Sequence, residues 1–366
     1  MSDLLYFMAL TKVKLVGAVT AKELVSHCGG AEEVFKASRQ RLLRTPGVGQ
    51  RVADNIMSFK DFSKVEKELT FIEKNQIQAH TYLEKSYPER LTYHNDSPLV
   101  LFQKGNATLN PPRTVAIVGT RKATPRGRAI CEELVAGLAE YDVTINSGLA
   151  YGIDVTAHTK CVQLNIPTIG VLGHGLDRMY PHQHKSIAQK MLENGSLLTE
   201  FPSGTTPDKN NFPMRNRIIA GMSDAVIVVE TKRSGGSIIT AQIANNYNKD
   251  VFAVPGRLDD EYSVGCNFLI KTHKAALIES AADIGYIMRW DKLDGEQKNV
   301  QRKIFVNLTE GERKIVAILK EHETIGIDKI VHLLKSSTSQ LAPKLLEMEF
   351  KGVIKTLPGS RYTLVR

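Results

Sequence analysis

Apolar positions change their period three times along the chain. From residue 1 to about 65 they recur at helical spacing between glycine turns, as at Val52, Ala53 and Ile56 after Thr45-Pro46-Gly47-Val48-Gly49. Over 66–110 that rhythm is lost: Tyr87-Pro88 and Ser97-Pro98 mark turns, and Leu99-Val100-Leu101-Phe102 reads as a strand before Gly105. From Val115 onward β-branched runs alternate with helical stretches, at 115–118, 143–145, 168–172, 196–199, 225–229 and 251–254. Short apolar runs separated by helices predict a parallel sheet covered on both faces, a Rossmann-like doubly wound α/β domain. Residues 291–303 are charged without apolar rhythm and read as a linker. Beyond it Thr309 and Glu312 form a capping-box signature ahead of Ile315, Val316, Ile318 and Leu319. Further helices are expected at 327–334 and 339–351, the latter ended by Gly352, with strands at 353–357 and 361–365 around Pro358-Gly359-Ser360. Three helices and a hairpin predict a winged helix. The expected domains are therefore a helical unit at 1–65, the α/β domain at 66–290 with its core at 111–285, the linker, and the winged helix at 304–366.

A length of 366 residues agrees with two or three domains, and 42% hydrophobic with 24% charged residues is ordinary globular composition. No run approaches 18 apolar residues, so no membrane span is expected, and Asp3 stands where a signal peptide carries cations. Cys28, Cys131, Cys161 and Cys266 include no C-x-x-C pair, which argues against a zinc ribbon or a disulfide scaffold and fits a reducing cytoplasm. The net charge of +9 favours polyanionic partners. Most of that excess lies in the two end units, so anion binding by the central domain has to rest on a few focused cations and N–H groups.

The first end unit has its own candidate chemistry. The turn at Gly47 and Gly49 presents backbone N–H groups at the start of the next helix, where a DNA phosphate fits, and Lys36, Arg39, Arg41, Arg44 and Arg51 face only Asp54 as an acid between residues 34 and 59. Val16-Gly17-Ala18-Val19 resembles a second copy of the turn. A helix-hairpin-helix pair and a plain packing hairpin both satisfy this pattern. In the winged helix, Gln340 and Lys344 with Arg361 on the wing could contact a duplex, and a protein-contact role fits equally.

Ligands of open α/β sheets sit at the carboxyl ends of the strands. The first such end, Gly119-Thr120-Arg121-Lys122-Ala123-Thr124-Pro125-Arg126-Gly127-Arg128, holds cations and no acid. Its glycines, the Thr120 hydroxyl and the coming helix N-terminus can hold a phosphate, gripped by Arg121 with Lys122 beside it. The stretch is not G-x-G-x-x-G, the next strand ends in Asn146-Ser147-Gly148 instead of a ribose-reading acid, and no G-x-x-x-x-G-K-[ST] occurs. Neither a dinucleotide cofactor nor a P-loop ATPase is expected, and no other cofactor is indicated. Later strand ends, Ser147-Gly148, Gly173-His174-Gly175, Ser234-Gly235-Gly236-Ser237 and Pro255-Gly256, add further N–H donors. Lys209 and Arg215 can take phosphates, Asn216 lies beside them, and Phe212 offers either a ring for an unstacked base or a core side chain. Arg215 and Arg217, two apart on a helix, face different ways, so one is expected at the ligand and the other on backbone carbonyls. Asp154 and His158 read as a helix-terminal acid and a packing histidine. His174, His182 and His184 lack a carboxylate or Cys to complete a metal site, so no metal is expected.

Taken in order, Gly119-Thr120-Arg121 with Gly127, Ser147-Gly148-Leu149-Ala150-Tyr151-Gly152-Ile153-Asp154 with His158, Phe212-Pro213-Met214-Arg215-Asn216-Arg217-Ile218-Ile219, Arg233-Ser234-Gly235-Gly236-Ser237 and Ala253-Val254-Pro255-Gly256 resemble the DNA-processing protein A (DprA/Smf) family. The resemblance implies a bacterial cytoplasmic protein that binds single-stranded DNA without catalysis and forms homodimers through the Rossmann-like domain. It implies roles in protecting incoming strands during natural transformation and in loading the recombinase RecA. By motif it places Arg121, Lys209, Phe212, Arg215 and Asn216 in the DNA pocket. One departure is that Asn267-Phe268-Leu269-Ile270 is followed by Lys271-Thr272-His273-Lys274 where the family has Gly-Ala, which leaves that turn and any dimer contact there open. The alternative is a nucleotide phosphoribohydrolase of the lysine-decarboxylase-like type. Such an enzyme needs an acid in the stretch corresponding to residues 234–242, which carries none.

Overall fold

In the computed structural model, which describes residues 2–293, 309–321, 325–334, 336–351, 353–357 and 361–364, the β-branched runs assemble into one sheet. Its strands are β1 (Gln78–Thr81), β2 (Val100–Gly105), β3 (Arg113–Val118), β4 (Val143–Ser147), β5 (Thr168–Val171), β6 (Gly195–Thr199), β7 (Ala225–Val228), β8 (Asp250–Ala253) and β9 (Ala276–Leu277). They lie side by side as β1-β2-β6-β5-β4-β3-β7-β8-β9. All neighbours from β6 through β9 are parallel. Val115 and Ile117 of β3 join a core with the helices Pro125–Leu138, Ile153–Gln163 and Ala281–Met288. Ala116 and Val118 join the opposite core, with Asn211–Met222, Gly236–Asn246 and Val264–Lys271. Burial on both faces is why β3 and β7 carry apolar residues at consecutive positions instead of alternating.

The sheet is mixed, where the sequence predicts a parallel one. β2 runs antiparallel to β6, with Phe102 opposite Thr199, and β1 runs antiparallel to β2. That direction lets the chain pass from Gly105 to Arg113 along one end of the sheet without the crossover a parallel neighbour requires. Gln78-Ala79-His80-Thr81 of β1 has little β-branched character and offers no period to read. Past the helix Val264–Lys271, His273 takes the left-handed conformation (φ 55°), so a non-glycine residue makes the turn at the site of the motif departure.

The winding reverses at the centre. From β3 the chain proceeds through β4, β5 and β6 to one side, then returns to place β7 against the other flank of β3 and continues outward through β8 and β9. Helices leaving β3 and β7 therefore depart in opposite directions, and a crevice opens between their carboxyl ends.

The N-terminal helices are Ser2–Leu10, Ala18–Cys28, Ala31–Lys36, Arg39–Leu43, Gln50–Ser58 and Ser63–Lys74, the last running across residue 65. Their core, including Phe7, Leu24, Ile56 and Ile72, takes in Val100 and Phe102 of β2, and Met1–Leu293 form one compact unit. Two turns in this unit match: Leu15-Val16-Gly17 has φ 66° at its first residue and Gly47-Val48-Gly49 has φ 75°. Gly17 and Gly49 both cap the following helix at φ −90°. The four cysteines are buried free thiols. Among the described residues no helix is long and apolar enough to cross a membrane.

Asp294–Arg366 form a separate unit. It contains the helices Glu310–Glu321, Ile327–Leu334 and Thr338–Phe350 and the strands β10 (Ile325–Gly326), β11 (Ile354–Leu357) and β12 (Arg361–Leu364), ordered β10-β12-β11. Residues 294–303 of the expected linker, Gly352 and Pro358-Gly359-Ser360 lie outside the described residues. The Thr309 N–H and hydroxyl donate to Glu312 at 2.7 and 2.8 Å, and Lys351 Nζ reaches the other carboxylate oxygen at 2.8 Å. The Lys351 hydrogen bond, followed by that from the Thr309 backbone, holds the Glu312 carboxyl down from 4.5 to about 2. A depressed carboxyl pKa stabilises the fold above its unfolded value, and that stability is lost as pH falls from 4.5 towards 2. Glu312→Gln is expected to cost the winged unit about 1–2 kcal/mol at neutral pH. It should also remove this acid-sensitive part of the stability in melts followed by circular dichroism across pH.

Candidate functional site

A cavity of about 870 Å³ fills the crevice beyond β3 and β7. The loop after β3 contributes Gly119, Thr120, Arg121 and Lys122, and the loop after β7 contributes Thr231, Lys232, Ser234, Gly235 and Gly236. Tyr180 arrives from the loop after β5, Pro207, Lys209, Phe212, Arg215 and Asn216 from the segment after β6, and Tyr262 from the loop after β8. Topology thus gathers residues scattered over some 140 positions of sequence. The Arg121 guanidinium lies over the Phe212 ring at 5.2 Å from its centroid, and Tyr180 stands 6.1 Å from the same ring. Phe212 is therefore a wall of the cavity shared with a cation, half-buried and not lost in the core. Lys209 and Arg121 are exposed. The loop Ser234-Gly235-Gly236 runs into the helix Gly236–Asn246, whose first N–H groups have no intrahelical acceptor.

Arg215 forms part of the floor, only 4% exposed. Its Nη1 donates to the Val171 carbonyl, and its buried Nε has no partner among the described residues. Burial lowers its pKa to about 10, which leaves it cationic at neutral pH. Asp154 lies in the same floor; burial pushes its carboxyl up against the pull of Arg215 and of N–H groups from Ala150 and Gly148. His158, four residues on, is pulled down to about 3 by burial, the Arg215 charge and His184, so it is a neutral ring, 2.8 Å from Thr168 Oγ1. His184 Nδ1 likewise lies 2.8 Å from the Leu149 carbonyl.

Gly127, Ser147, Gly148 and Arg217, all candidates for phosphate contacts, do not line the cavity. A side chain on Gly148 would meet Arg215 Nη1 at 2.2 Å, so this glycine admits the buried guanidinium and does not line the cavity. The hydroxyl of Ser147 is turned inward to the Ile117 carbonyl at 2.6 Å. Arg217 is outside the cavity, where it pairs with Glu200 and donates to the Asp96 carbonyl at 2.5 Å. Asp96 also accepts the Tyr247 hydroxyl at 2.6 Å, so Arg217 belongs to a network that fixes the cavity-bearing helix from behind. Gly127 is the most informative of the four. The Glu230 carboxylate accepts the Thr124 N–H at 3.0 Å and its hydroxyl at 2.5 Å, and a Cβ on Gly127 would sit 2.2 Å from Glu230 Cδ. The protein's own carboxylate thus fills the N-terminus of Pro125–Leu138, where the sequence places a phosphate.

Sequence reasoning misses Tyr180, Lys232, Tyr262 and Glu230, because a lone tyrosine or acid in a loop carries no spacing signal. In the helical unit Gly47 and Gly49 form the expected turn and Arg51 is exposed. The basic cluster around them is partly spent: Arg39 pairs with Asp54 at 2.8 Å, Lys36 with Glu32 at 2.9 Å, and Arg41 donates to the Cys28 carbonyl at 3.1 Å. Gln340, Lys344 and Arg361 are exposed on the winged unit. Among the described residues no group of three His, Cys, Asp or Glu could hold a metal ion.

A doubly wound domain with a switch-point cavity, preceded in sequence by a paired glycine turn and followed by a winged helix, defines a recognisable class. The family model for DNA recombination-mediator protein A matches residues 78–288, a helix-hairpin-helix motif matches 7–68 and a DprA winged helix domain matches 306–360. The chain belongs to the DNA recombination-mediator protein A (DprA/Smf) family. It is 32% identical to Protein Smf of Synechocystis over 99% of this chain and 98% of that protein. The X-ray structure of DNA processing protein A from Streptococcus pneumoniae superposes with a TM-score of 0.68 at 32% identity, covering 78% of this chain and 98% of that one. DNA processing protein A from Helicobacter pylori, whose structure concerns its single-stranded DNA binding mode, gives a TM-score of 0.54 at 30% identity over 59% of this chain and 99% of that one.

The Gly127 contact yields a direct test. Gly127→Ala drives a methyl group into the Glu230 carboxylate and is expected to lower the unfolding free energy by about 1–3 kcal/mol in urea titrations. An unchanged midpoint would mean that Glu230 is not held against this helix.

Proposed function

We propose that the chain binds single-stranded DNA in the switch-point cavity and does no chemistry on it. The observation that carries this reading is the Arg121–Phe212 pair, a cation and a ring placed together within a cavity that also receives Lys209 and a glycine-serine loop. Phosphates lie on Arg121, Lys122, Lys209 and the N–H groups of Ser234, Gly235 and Gly236, and an unstacked base packs on Phe212. Thr120 and Gly119 shape the wall, Arg215 supplies positive potential from below, and Asn216 offers its amide at the rim. Membership of the family, and the Helicobacter relative described for its single-stranded DNA binding mode, support the assignment.

In the cell this activity protects incoming strands in the cytoplasm during natural transformation and presents them to RecA, with the chain acting as a homodimer. The end units bind duplex DNA, through Gly47, Gly49 and Arg51 in the N-terminal helices and through Gln340, Lys344 and Arg361 in the winged unit. The phosphoribohydrolase alternative would draw on Asp154, the carboxylate that lines the cavity. That group is sunk in the floor and held by backbone N–H groups, a poor position from which to exchange protons with a substrate.

Fluorescence anisotropy with labelled oligo-dT tests the assignment. Arg121→Ala and Lys209→Ala should each weaken binding by about tenfold and flatten the log–log salt dependence by about 0.7. Phe212→Ala should cost about 1–3 kcal/mol. Folded variants that bind like the wild type would place the strand elsewhere. Release of free base from nucleoside monophosphates, abolished by Asp154→Asn, would establish the enzyme instead.

A further inference from the structure

On the β8 side of the cavity a second ring and a second cation stand together. Lys232 Nζ lies 5.2 Å from the Tyr262 ring centroid, the same separation as between Arg121 and Phe212. Both residues line the cavity. Their loops are bound to each other: the Thr231 N–H donates to the Tyr262 carbonyl at 2.6 Å, and the Gly265 N–H donates to the Thr231 carbonyl at 2.9 Å. Ser237 Oγ adds a bond to Thr231 Oγ1 at 2.7 Å. Sheet order sets the scale. The loops carrying Tyr180 and Tyr262 follow β5 and β8, four strand spacings apart, or about 19 Å. The cavity holds ring–cation pairs on two of its sides, Arg121 with Phe212 on one and Lys232 with Tyr262 on the other.

Lys232 is not idle in this state, because it donates to Glu261 in a pair whose side chains are 44% and 64% exposed. An exposed pair of this kind is weakly held. The carboxylate is also the group that most resembles a phosphate oxygen at that position.

We propose that Lys232 and Tyr262 form a second nucleotide subsite, in which a DNA phosphate displaces Glu261 from Lys232 and the adjoining base packs on Tyr262. The subsite rests on the single-strand reading above. Both contacts of the ammonium exchange together: Lys232 moves to the phosphate, and the ring face it leaves receives the base. Glu261 is then a built-in competitor that sets how much this subsite contributes.

Oligo-dT binding by the full chain, read by anisotropy, decides the matter. Tyr262→Leu is expected to weaken binding about tenfold, while Tyr262→Phe, which keeps the ring, binds like the wild type. Glu261→Gln should strengthen binding about two- to fivefold at low salt. It should also steepen the log–log salt dependence by about 0.7, because a salt counter-ion now leaves Lys232 where a carboxylate left before. Adding Lys232→Ala to Glu261→Gln should cancel that gain. Wild-type affinity and slope in both Tyr262→Leu and Glu261→Gln, with Arg121→Ala still weakened, would overturn the subsite and leave the single-strand reading standing. Failure of the wild type to bind oligo-dT would overturn both. Glu261 is exposed, so its variant remains informative if Tyr262→Leu does not fold.

Discussion

Glu230 stitches together the two strands from which the sheet winds apart. Its carbonyl accepts the Thr120 N–H at 2.7 Å, and its carboxylate takes the Thr124 N–H and hydroxyl. The loop after β3 is thereby fastened to the end of β7, and Arg121, between the two threonines, is held out towards the cavity. The same carboxylate occupies the helix terminus at which a doubly wound fold ordinarily receives a pyrophosphate. One side chain both positions the loop and closes the site a dinucleotide would need.

The electrostatics follow from that arrangement. The central domain carries little of the chain's net charge, so attraction comes from Arg121, Lys122, Lys209 and Lys232 converging on one cavity, with Arg215 buried below. A guanidinium this deep is costly unless its donors are met. The Val171 carbonyl and the side-chain-free backbone at Gly148 make room for it. Arg217, two residues further along the same helix, is committed to Glu200 and Asp96 and keeps that helix in place.

Much of this was legible beforehand. The strand runs at 115–118 and 225–229, the helix at 327–334 and the Thr309/Glu312 cap all have local causes, a burial period or a capping hydrogen bond, and local causes leave local patterns. That Gly119 to Lys122 and Ser234 to Gly236 would face one space was legible because each run closely follows a strand, whereas Lys209, Phe212 and Arg215, 10 to 16 residues past β6, offered only their residue types. What escaped depended on long-range approach. Gly127 read as a phosphate glycine because Glu230, over 100 positions away, gives no sign in sequence that it will fill the same spot. The antiparallel β1 and β2 depend on which end of the sheet the chain reaches, and Tyr262 lines the cavity on a loop that is bonded to Thr231.

Hydrogen exchange on the full chain, with and without oligo-dT, asks most directly where a single strand lies. Binding in the switch-point cavity predicts new protection at residues 119–122, 207–212 and 231–237, on loops that join three separate strands of one sheet. Protection confined to the glycine turn at 47–49 or to the winged unit, with those loops unchanged, would contradict it.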